Sequence, residues 1–191
     1  MLNLPNMLTM SRIFIIPLVV ATFFFDSPSM RWTACALFAI AGITDFFDGY
    51  LARRANQVSN FGRFLDPIAD KLLVASVLLL IVAFDRVGPW SYLPALVIML
   101  REITISGLRE FLAELRVSVP VTKLAKAKTT VQMIALGFLI VGNDAPVWIP
   151  AEFIGEIGIW IAAGITFITG YDYLKSGMRY MAGGNPPPTA P

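Results

Sequence analysis

Residues 31–84 read RWTACALFAIAGITDFFDGYLARRANQVSNFGRFLDPIADKLLVASVLLLIVAF, two apolar runs joined by a polar link that carries acidic side chains. Each run has roughly the 20 mostly apolar residues that a helix needs to cross a bilayer. Two such runs with a short link predict a helical hairpin. A charged side chain within a span costs about 3 kcal/mol, so aspartates at this position favour a functional role.

Apolar runs of similar length recur along the whole chain, which has 191 residues of which 57% are hydrophobic. The mean hydropathy is +0.70, whereas soluble domains are about half apolar and about a quarter charged. No polar stretch between the runs is long enough for a separate soluble core. We therefore predict one all-α integral membrane domain over residues 1–180 and a disordered Pro-rich tail over residues 181–191. The six predicted transmembrane helices cover residues 6–25, 31–53, 64–84, 90–112, 127–143 and 148–174.

Basic residues are concentrated in alternate connections between these runs. Only Arg31 and Arg86 lie at one set of ends, and the positive-inside rule makes the other, more basic set cytoplasmic. An even number of spans then places both termini in the cytoplasm. The first run has no preceding basic residue and no small-residue cleavage site after it, so we expect it to be retained. The basic residues at the cytoplasmic ends are Arg12, Arg53, Arg54, Arg63, Arg109, Arg116, Lys123, Lys126, Lys128, Lys175 and Arg179.

The composition limits the chemistry that the chain can carry out. It has no histidine and a single cysteine, Cys35, which lies in an apolar run. Any bound metal must therefore take oxygen ligands, which favours Mg²⁺ or Mn²⁺ over Zn²⁺. The formal net charge of only +2 offers no electrostatic argument for a nucleic-acid partner.

Four aspartates lie at the cytoplasmic end of the hairpin. Asp45 and Asp48 are three residues apart and Asp66 and Asp70 four apart, spacings that place each pair on one helical face. If the two helices face each other, the four carboxylates converge, and their repulsion favours one or two bound divalent cations. The alternatives are an ion or proton pathway or charge pairing with basic neighbours, namely Arg53, Arg63 and Lys71.

Eight residues of this region match the pattern D-x2-D-G-x2-A-R-x8-G-x3-D-x3-D without departure: Asp45, Asp48, Gly49, Ala52, Arg53, Gly62, Asp66 and Asp70. The chain thus resembles the CDP-alcohol phosphotransferase family. The resemblance implies a six-helix, usually homodimeric enzyme of the bacterial inner membrane, with a polar cavity open to the cytoplasm. It also implies that the four aspartates bind the metal and that Asp70 is the general base.

The same resemblance assigns residues to the CDP moiety. They are Gly49, Ala52, Arg53, Ser59 and Gly62, together with Asn6 and Thr9 in the opening segment LNLPNMLTMSR, residues 2–12. An arginine at a helix end can take two phosphate oxygens in a fork. The alternative for Asn6 and Thr9 is capping and initiation of the first helix after Pro5.

Basic residues of the fourth and fifth runs are the candidates for binding an anionic acceptor. Arg101 lies well inside its run, and its neighbour Glu102 points about 100° away on a helix, so we expect Arg101 to line the polar cavity. Arg109, Lys126 and Lys128 lie near the cytoplasmic ends, where they can hold an acceptor phosphate. Contact with anionic lipid headgroups is the alternative for these three.

Within the family, three segments resemble the branch that uses CDP-diacylglycerol as donor and glycerol 3-phosphate as acceptor. They are LPNMLTMSRI (4–13), REITISGLREF (101–111) and AKAKTTVQM (125–133). Ala125 stands where that branch usually has glycine. A different acceptor, as in a cardiolipin synthase or an inositol-phosphate phosphatidyltransferase, stays open, and so do an ion-coupled transporter and a noncatalytic membrane scaffold.

Overall fold

The computed structural model describes the backbone of residues 4–55, 60–115 and 123–181, and these residues form a bundle of helices with no strand. Six α-helices and one short 3-10 helix make up almost all of the described chain, which confirms the all-α prediction. The elements are α1 (Leu4–Phe23), α2 (Pro28–Ala55), α3 (Asn60–Ala83), α4 (Tyr92–Glu114), α5 (Lys123–Val141), the 3-10 helix Gly142–Asp144 and α6 (Ala151–Met181).

Four of the six helices, α2, α3, α5 and α6, are longer than the apolar runs that predicted them. α2 begins at Pro28 rather than at residue 31, and α6 continues to Met181 rather than ending at residue 174. Proline suits the first turn of a helix, where its missing N–H has no intrahelical partner to lose. Helical backbone hydrogen bonds also continue past an apolar run, because they do not depend on apolar side chains. The predicted tail lies outside the described residues from residue 182 onward.

Two of the described helices are long and apolar enough to cross a membrane on length and composition alone. These segments are Asn6–Phe23 in α1 and Ala151–Met178 in α6. The helices between them carry charged side chains within their runs, such as Asp45, Asp70 and Arg101. Six spans and their orientation therefore remain predictions.

The bundle is built from two groups of helices that share one core. α1 packs on α2 and α3, α6 packs on α4 and α5, and contacts between α2 and α5 join the two groups. Each of the six helices contributes a fully buried apolar side chain: Val19, Phe38, Val77, Ile98, Leu136 and Ile159. At Gly155, an added Cβ would lie 2.6 Å from Cγ of Leu139 and 3.1 Å from the carbonyl oxygen of Ala135. Only glycine permits this close approach of α5 and α6.

The outward surface of the bundle is strongly apolar. Many large side chains are more than half exposed, including Phe14, Leu79, Ile103, Phe167 and Ile168. Soluble monomers rarely expose contiguous apolar surface of this kind. This surface is suited to contact with lipid.

Polar contacts connect the loops at the end of the bundle that carries residues 24–27 and 142–150. Arg31 pairs with Asp26 at 2.9 Å and with Asp144 at 3.1 Å. The hydrogen bond from Arg31 lowers the pKa of Asp26. At the same end, Glu156 accepts hydrogen bonds from the backbone N–H of Gly88 and, at 3.3 Å, from the hydroxyl of Ser91. The candidate site lies at the opposite end of the bundle, where α1 and α3 begin.

Candidate functional site

Arg12 of α1 brings together two of the four aspartates at the site end of the bundle. Its side chain is 0% exposed, and Nη1 donates to Oδ1 of Asp45 on α2 at 2.6 Å and to Oδ1 of Asp70 on α3. The side chains of Asp45 and Asp70 are 44% and 47% exposed. One buried cation therefore lies between two acidic groups that remain open to a cavity.

Asp66 is held by the same helix one turn earlier. The hydroxyl of Thr9 donates to Oδ1 of Asp66 at 2.5 Å, and Thr9 is 1% exposed. Asn6 lies one turn before Thr9 and is also buried, as is Gly62, one turn before Asp66. α1 thus presents a polar face to the acidic helices. A merely capping role for Thr9 does not account for its bond to Asp66.

Several predicted site residues lie beyond what the structure describes. The side chains of Asp48, Gly49, Ala52 and Arg53 are not described, although the backbone of α2 continues through them. Ser59 lies outside the described residues, and so does the side chain of Lys126 on α5. For these positions the sequence assignment remains a prediction.

The described donor set is compatible with a divalent cation. Asp45, Asp66 and Asp70 offer hard carboxylate oxygens, which Mg²⁺ and Mn²⁺ prefer. The guanidinium that two of them share shows that one positive charge can lie between α2 and α3. Among the described side chains, no group of three or more acidic or other metal-binding residues is close enough to hold an ion. The side chain of Asp48, the fourth predicted ligand, is not among the described ones.

A polar cavity of about 480 Å³ opens beside Asp70. α3, α4, α5 and α6 all contribute to its walls. The cavity brings three predicted acceptor-binding residues, Arg101, Arg109 and Lys128, together with Asp70. It is also lined by Lys71, Glu102, Ser106, Glu110, Gln132 and Tyr173.

Glu102 arranges the basic groups of this polar cavity. The ammonium of Lys128 donates to Oε1 of Glu102, whereas Nη1 of Arg101 lies 3.7 Å from the same oxygen. Glu102 is thus within ion-pair distance of Arg101, although at 3.7 Å it makes no hydrogen bond to Nη1. Arg101 also approaches the hydroxyl of Thr169 at 3.4 Å and the ring of Tyr173 at 6.0 Å.

Gly170 of α6 has no side chain and so leaves room for the side chain of Arg101 on α4. A Cβ added at Gly170 would lie 2.9 Å from Cγ of Arg101. Glycine at this position therefore lets the arginine stem pass across α6 toward the polar cavity. On the opposite wall, Lys71 donates to the hydroxyl of Ser106. Among the described side chains, Lys71 therefore bonds to Ser106 and not to an aspartate.

A second space, a largely apolar groove of about 770 Å³, runs between α2 and α5. Asp45, Asp70 and Arg12 lie in it, and its apolar lining includes Phe38, Ala39, Gly42, Ile43, Met133 and Ile134. Asp70 lines both the groove and the polar cavity. It therefore lies where an apolar molecule in one space can meet a polar molecule in the other.

Sequence reasoning assigned Arg12 only to the cytoplasmic set of basic residues and missed its contact with the aspartates. A signal was present, because Arg12 is a charged residue in a mostly apolar run and follows Thr9 by one helical turn. A charge in such a run needs a partner. Gln132 was also missed, although it follows Lys128 by one turn on α5.

Comparisons with known proteins cover nearly the whole chain. A family model described as CDP-alcohol phosphatidyltransferase matches residues 2–168. The chain is 50% identical over 178 residues to the CDP-diacylglycerol--glycerol-3-phosphate 3-phosphatidyltransferase of Rickettsia bellii, an alignment that covers 93% of this chain and 97% of the relative. A protein of the same name from Cereibacter sphaeroides is 39% identical over 214 residues, covering 94% and 97%. The one from Shigella flexneri serotype 5b is 41% identical over 176 residues, covering 91% and 94%.

Proposed function

The chain belongs to the CDP-alcohol phosphatidyltransferase family, and we propose that it transfers a phosphatidyl group from CDP-diacylglycerol to glycerol 3-phosphate. The products are phosphatidylglycerol phosphate and CMP. Relatives that share 39% to 50% of its residues over nearly their full length carry the name of this reaction. The observation that carries the assignment is the position of Asp70 in both the apolar groove and the basic polar cavity.

The two spaces suit the two substrates. The groove between α2 and α5 has the apolar walls that diacylglycerol chains require, and it leads to the aspartates. The polar cavity has Arg101, Arg109 and Lys128 for the dianionic phosphate of glycerol 3-phosphate. Arginine offers forked contacts to phosphate oxygens and lysine a point charge. The proposal includes the nucleotide contacts that the family resemblance assigns to seven residues: Asn6, Thr9, Gly49, Ala52, Arg53, Ser59 and Gly62.

In the proposed reaction, Asp70 accepts the proton of a glycerol 3-phosphate hydroxyl. The hydroxyl oxygen attacks the phosphorus bonded to diacylglycerol, a new P–O bond forms, and the P–O bond to the phosphate of CMP breaks. Asp45, Asp48, Asp66 and Asp70 would hold Mg²⁺ or Mn²⁺, two ions in our proposal, and the metal would supply positive charge for the pyrophosphate and for the leaving CMP. Arg53 binds phosphate oxygens. The remaining contribution of the chain is to orient the two substrates, as in other phosphoryl transfers.

The proposed setting is the inner membrane of a bacterium, with six spans, both termini and the site facing the cytoplasm, and a homodimeric assembly. The exposed apolar surface of the bundle supports a lipid environment. The distribution of basic residues supports the orientation.

An acceptor panel tests the function. Purified protein is incubated with CDP-diacylglycerol, Mg²⁺ and one of three acceptors: glycerol 3-phosphate, phosphatidylglycerol or an inositol phosphate. We expect CMP release with glycerol 3-phosphate and little with the other two. CMP release that depends on another acceptor would reassign the enzyme within the family. Cation uptake into proteoliposomes without CMP production would favour a transporter.

Replacement of the proposed base tests the mechanism. Asp70→Asn should abolish CMP release while nucleotide binding partly survives, because the amide cannot accept the hydroxyl proton. Asp172→Asn is a matched control, since Asp172 is an exposed aspartate of α6 and should keep full activity. Full activity of the Asp70→Asn protein would remove this residue from the mechanism. If all four aspartates could be replaced by Asn without loss of the cellular phenotype, a noncatalytic scaffold would be supported instead.

A further inference from the structure

Gln132 places a neutral polar group in the wall of the polar cavity. It lies on α5 one turn after Lys128, so both side chains project from the same helical face. Gln132 lines the polar cavity that contains Asp70, Arg101 and Lys128. Its side chain is only 3% exposed. A polar residue at this position is a costly choice unless something binds it.

The amide oxygen of Gln132 lacks a hydrogen-bond partner within the described chain. Its Oε1 is buried and accepts no hydrogen bond from any described residue. Leaving a buried acceptor unsatisfied destabilises a protein, and native structures rarely contain such groups without a reason. A ligand that enters the polar cavity can supply the missing donor.

One polar group of the acceptor is not matched by the other residues of the polar cavity and is available to the amide of Gln132. Its basic residues match the phosphate of glycerol 3-phosphate, and the proposed base Asp70 matches the attacking primary hydroxyl. The secondary hydroxyl on the middle carbon is not consumed in the reaction. It is an O–H donor, which is the group that an unpaired carbonyl oxygen requires.

We propose that Gln132 is a specificity residue that accepts a hydrogen bond from the secondary hydroxyl of glycerol 3-phosphate. This inference rests on the proposed function and names the part of the acceptor that Gln132 reads. A site built to bond a hydroxyl discriminates strongly against an analogue that lacks it, because the buried acceptor then stays unpaired.

The test compares two acceptors that differ only in that hydroxyl. Glycerol 3-phosphate and 3-hydroxypropyl phosphate share a primary hydroxyl and a phosphate at the same separation. Purified full-length protein is supplied with CDP-diacylglycerol and Mg²⁺, and kcat/KM is measured for each acceptor from CMP release. We expect the unmodified protein to prefer glycerol 3-phosphate by about tenfold or more, and Gln132→Leu to reduce the preference to about twofold or less.

Two further variants separate recognition from stability. Thr166→Val is a matched control, because Thr166 is fully buried and its Oγ1 has no hydrogen-bond partner in the described chain, while it does not line the polar cavity. This variant should keep the original preference. Gln132→Glu retains an accepting oxygen, so it should keep the preference while KM rises for both acceptors through repulsion of their phosphate.

The outcomes distinguish this inference from the function on which it rests. No CMP release from the unmodified protein with glycerol 3-phosphate would overturn the proposed function. Normal release without any preference between the acceptors would overturn the role of Gln132 alone. The role of Gln132 would also be overturned if Gln132→Leu kept the preference, whether or not its activity fell equally for both acceptors. A lost preference in Gln132→Glu would overturn it as well.

Discussion

Replacing Arg12 by methionine removes the buried cation that Asp45 and Asp70 share. Methionine fills most of the same volume with an unbranched, apolar chain, so the change removes charge more than packing. The two carboxylates would then face each other without the guanidinium that now contacts both. We expect the Arg12→Met protein to become dependent on a divalent cation for its stability.

The size of the effect follows from the exposure of the three groups. Arg12 is fully buried, whereas the two carboxylates are nearly half exposed. Removal of one partner from a fully buried pair costs about 3–5 kcal/mol, and removal from an exposed pair less than about 1 kcal/mol. We therefore expect a loss of about 2 kcal/mol in chelator, an intermediate value. For a chain of this length that corresponds to an unfolding temperature about 4–8 °C lower.

Added Mg²⁺ should reverse this loss. In the unmodified protein the ion must compete with Arg12 for the two carboxylates. In the variant no side chain at position 12 neutralises their negative charge, so the ion should bind them more tightly. Because a ligand stabilises the folded state in proportion to its binding free energy, the Mg²⁺-induced rise in unfolding temperature should be larger in Arg12→Met.

The assay is thermal unfolding of the purified protein in detergent, with chelator or with excess Mg²⁺. Arg31→Met is the matched control, because Arg31 also pairs with two acids, Asp26 and Asp144, at the opposite end of the bundle. Its variant should lose stability without gaining any additional response to Mg²⁺. Equal responses to Mg²⁺ in the Arg12→Met and unmodified proteins would refute the view that these aspartates share a cation site.

Three further substitutions test the site and the packing that supports it. Gly170→Ala places a Cβ 2.9 Å from Cγ of Arg101 and should displace the arginine from the acceptor phosphate. The KM for glycerol 3-phosphate should then rise about fivefold to tenfold, because one charged contact is lost. An equal rise in the KM for CDP-diacylglycerol would argue against a local effect. Lys128→Met should raise the KM for glycerol 3-phosphate at least about tenfold in CMP-release assays. Adding Glu102→Gln should restore the stability that is lost when Glu102 loses Lys128, but it should not restore KM. Recovery of both stability and KM would assign the lysine a structural role. Gly155→Leu should lower the unfolding temperature by overpacking α5 against α6 at a cost of about 1–3 kcal/mol, and an unchanged temperature would show that the helices separate easily.

Much of the site could be predicted because its information is local. The spacings of Asp45, Asp48, Asp66 and Asp70 are properties of single helices, and helical periodicity alone places each pair on one face. The depth of Arg101 in an apolar run likewise predicts a polar surrounding before any fold is known. Such arguments need only the rise and the turn of an α-helix.

Contacts between helices required the tertiary structure. Nothing in the sequence states that Arg12 reaches both Asp45 and Asp70, since these residues are 33 and 58 positions away. The pairing of Lys128 with Glu102, which Arg101 approaches at a longer distance, depends on how α4 and α5 pack. The same packing puts Gln132 in the wall of the polar cavity and leaves its Oε1 without a hydrogen-bond partner among the described residues.

The sequence by itself determined the helical class, the apolar surface, the acidic motif and the family. Those features depend on composition and on spacings within one helix, which short-range geometry converts directly into structure. Only the tertiary structure decided that Asp70 borders two spaces, one with several charged residues in its walls and one with largely apolar walls. That arrangement arises where α2, α3, α4, α5 and α6 meet, and it depends on side-chain packing between segments that lie far apart in the chain.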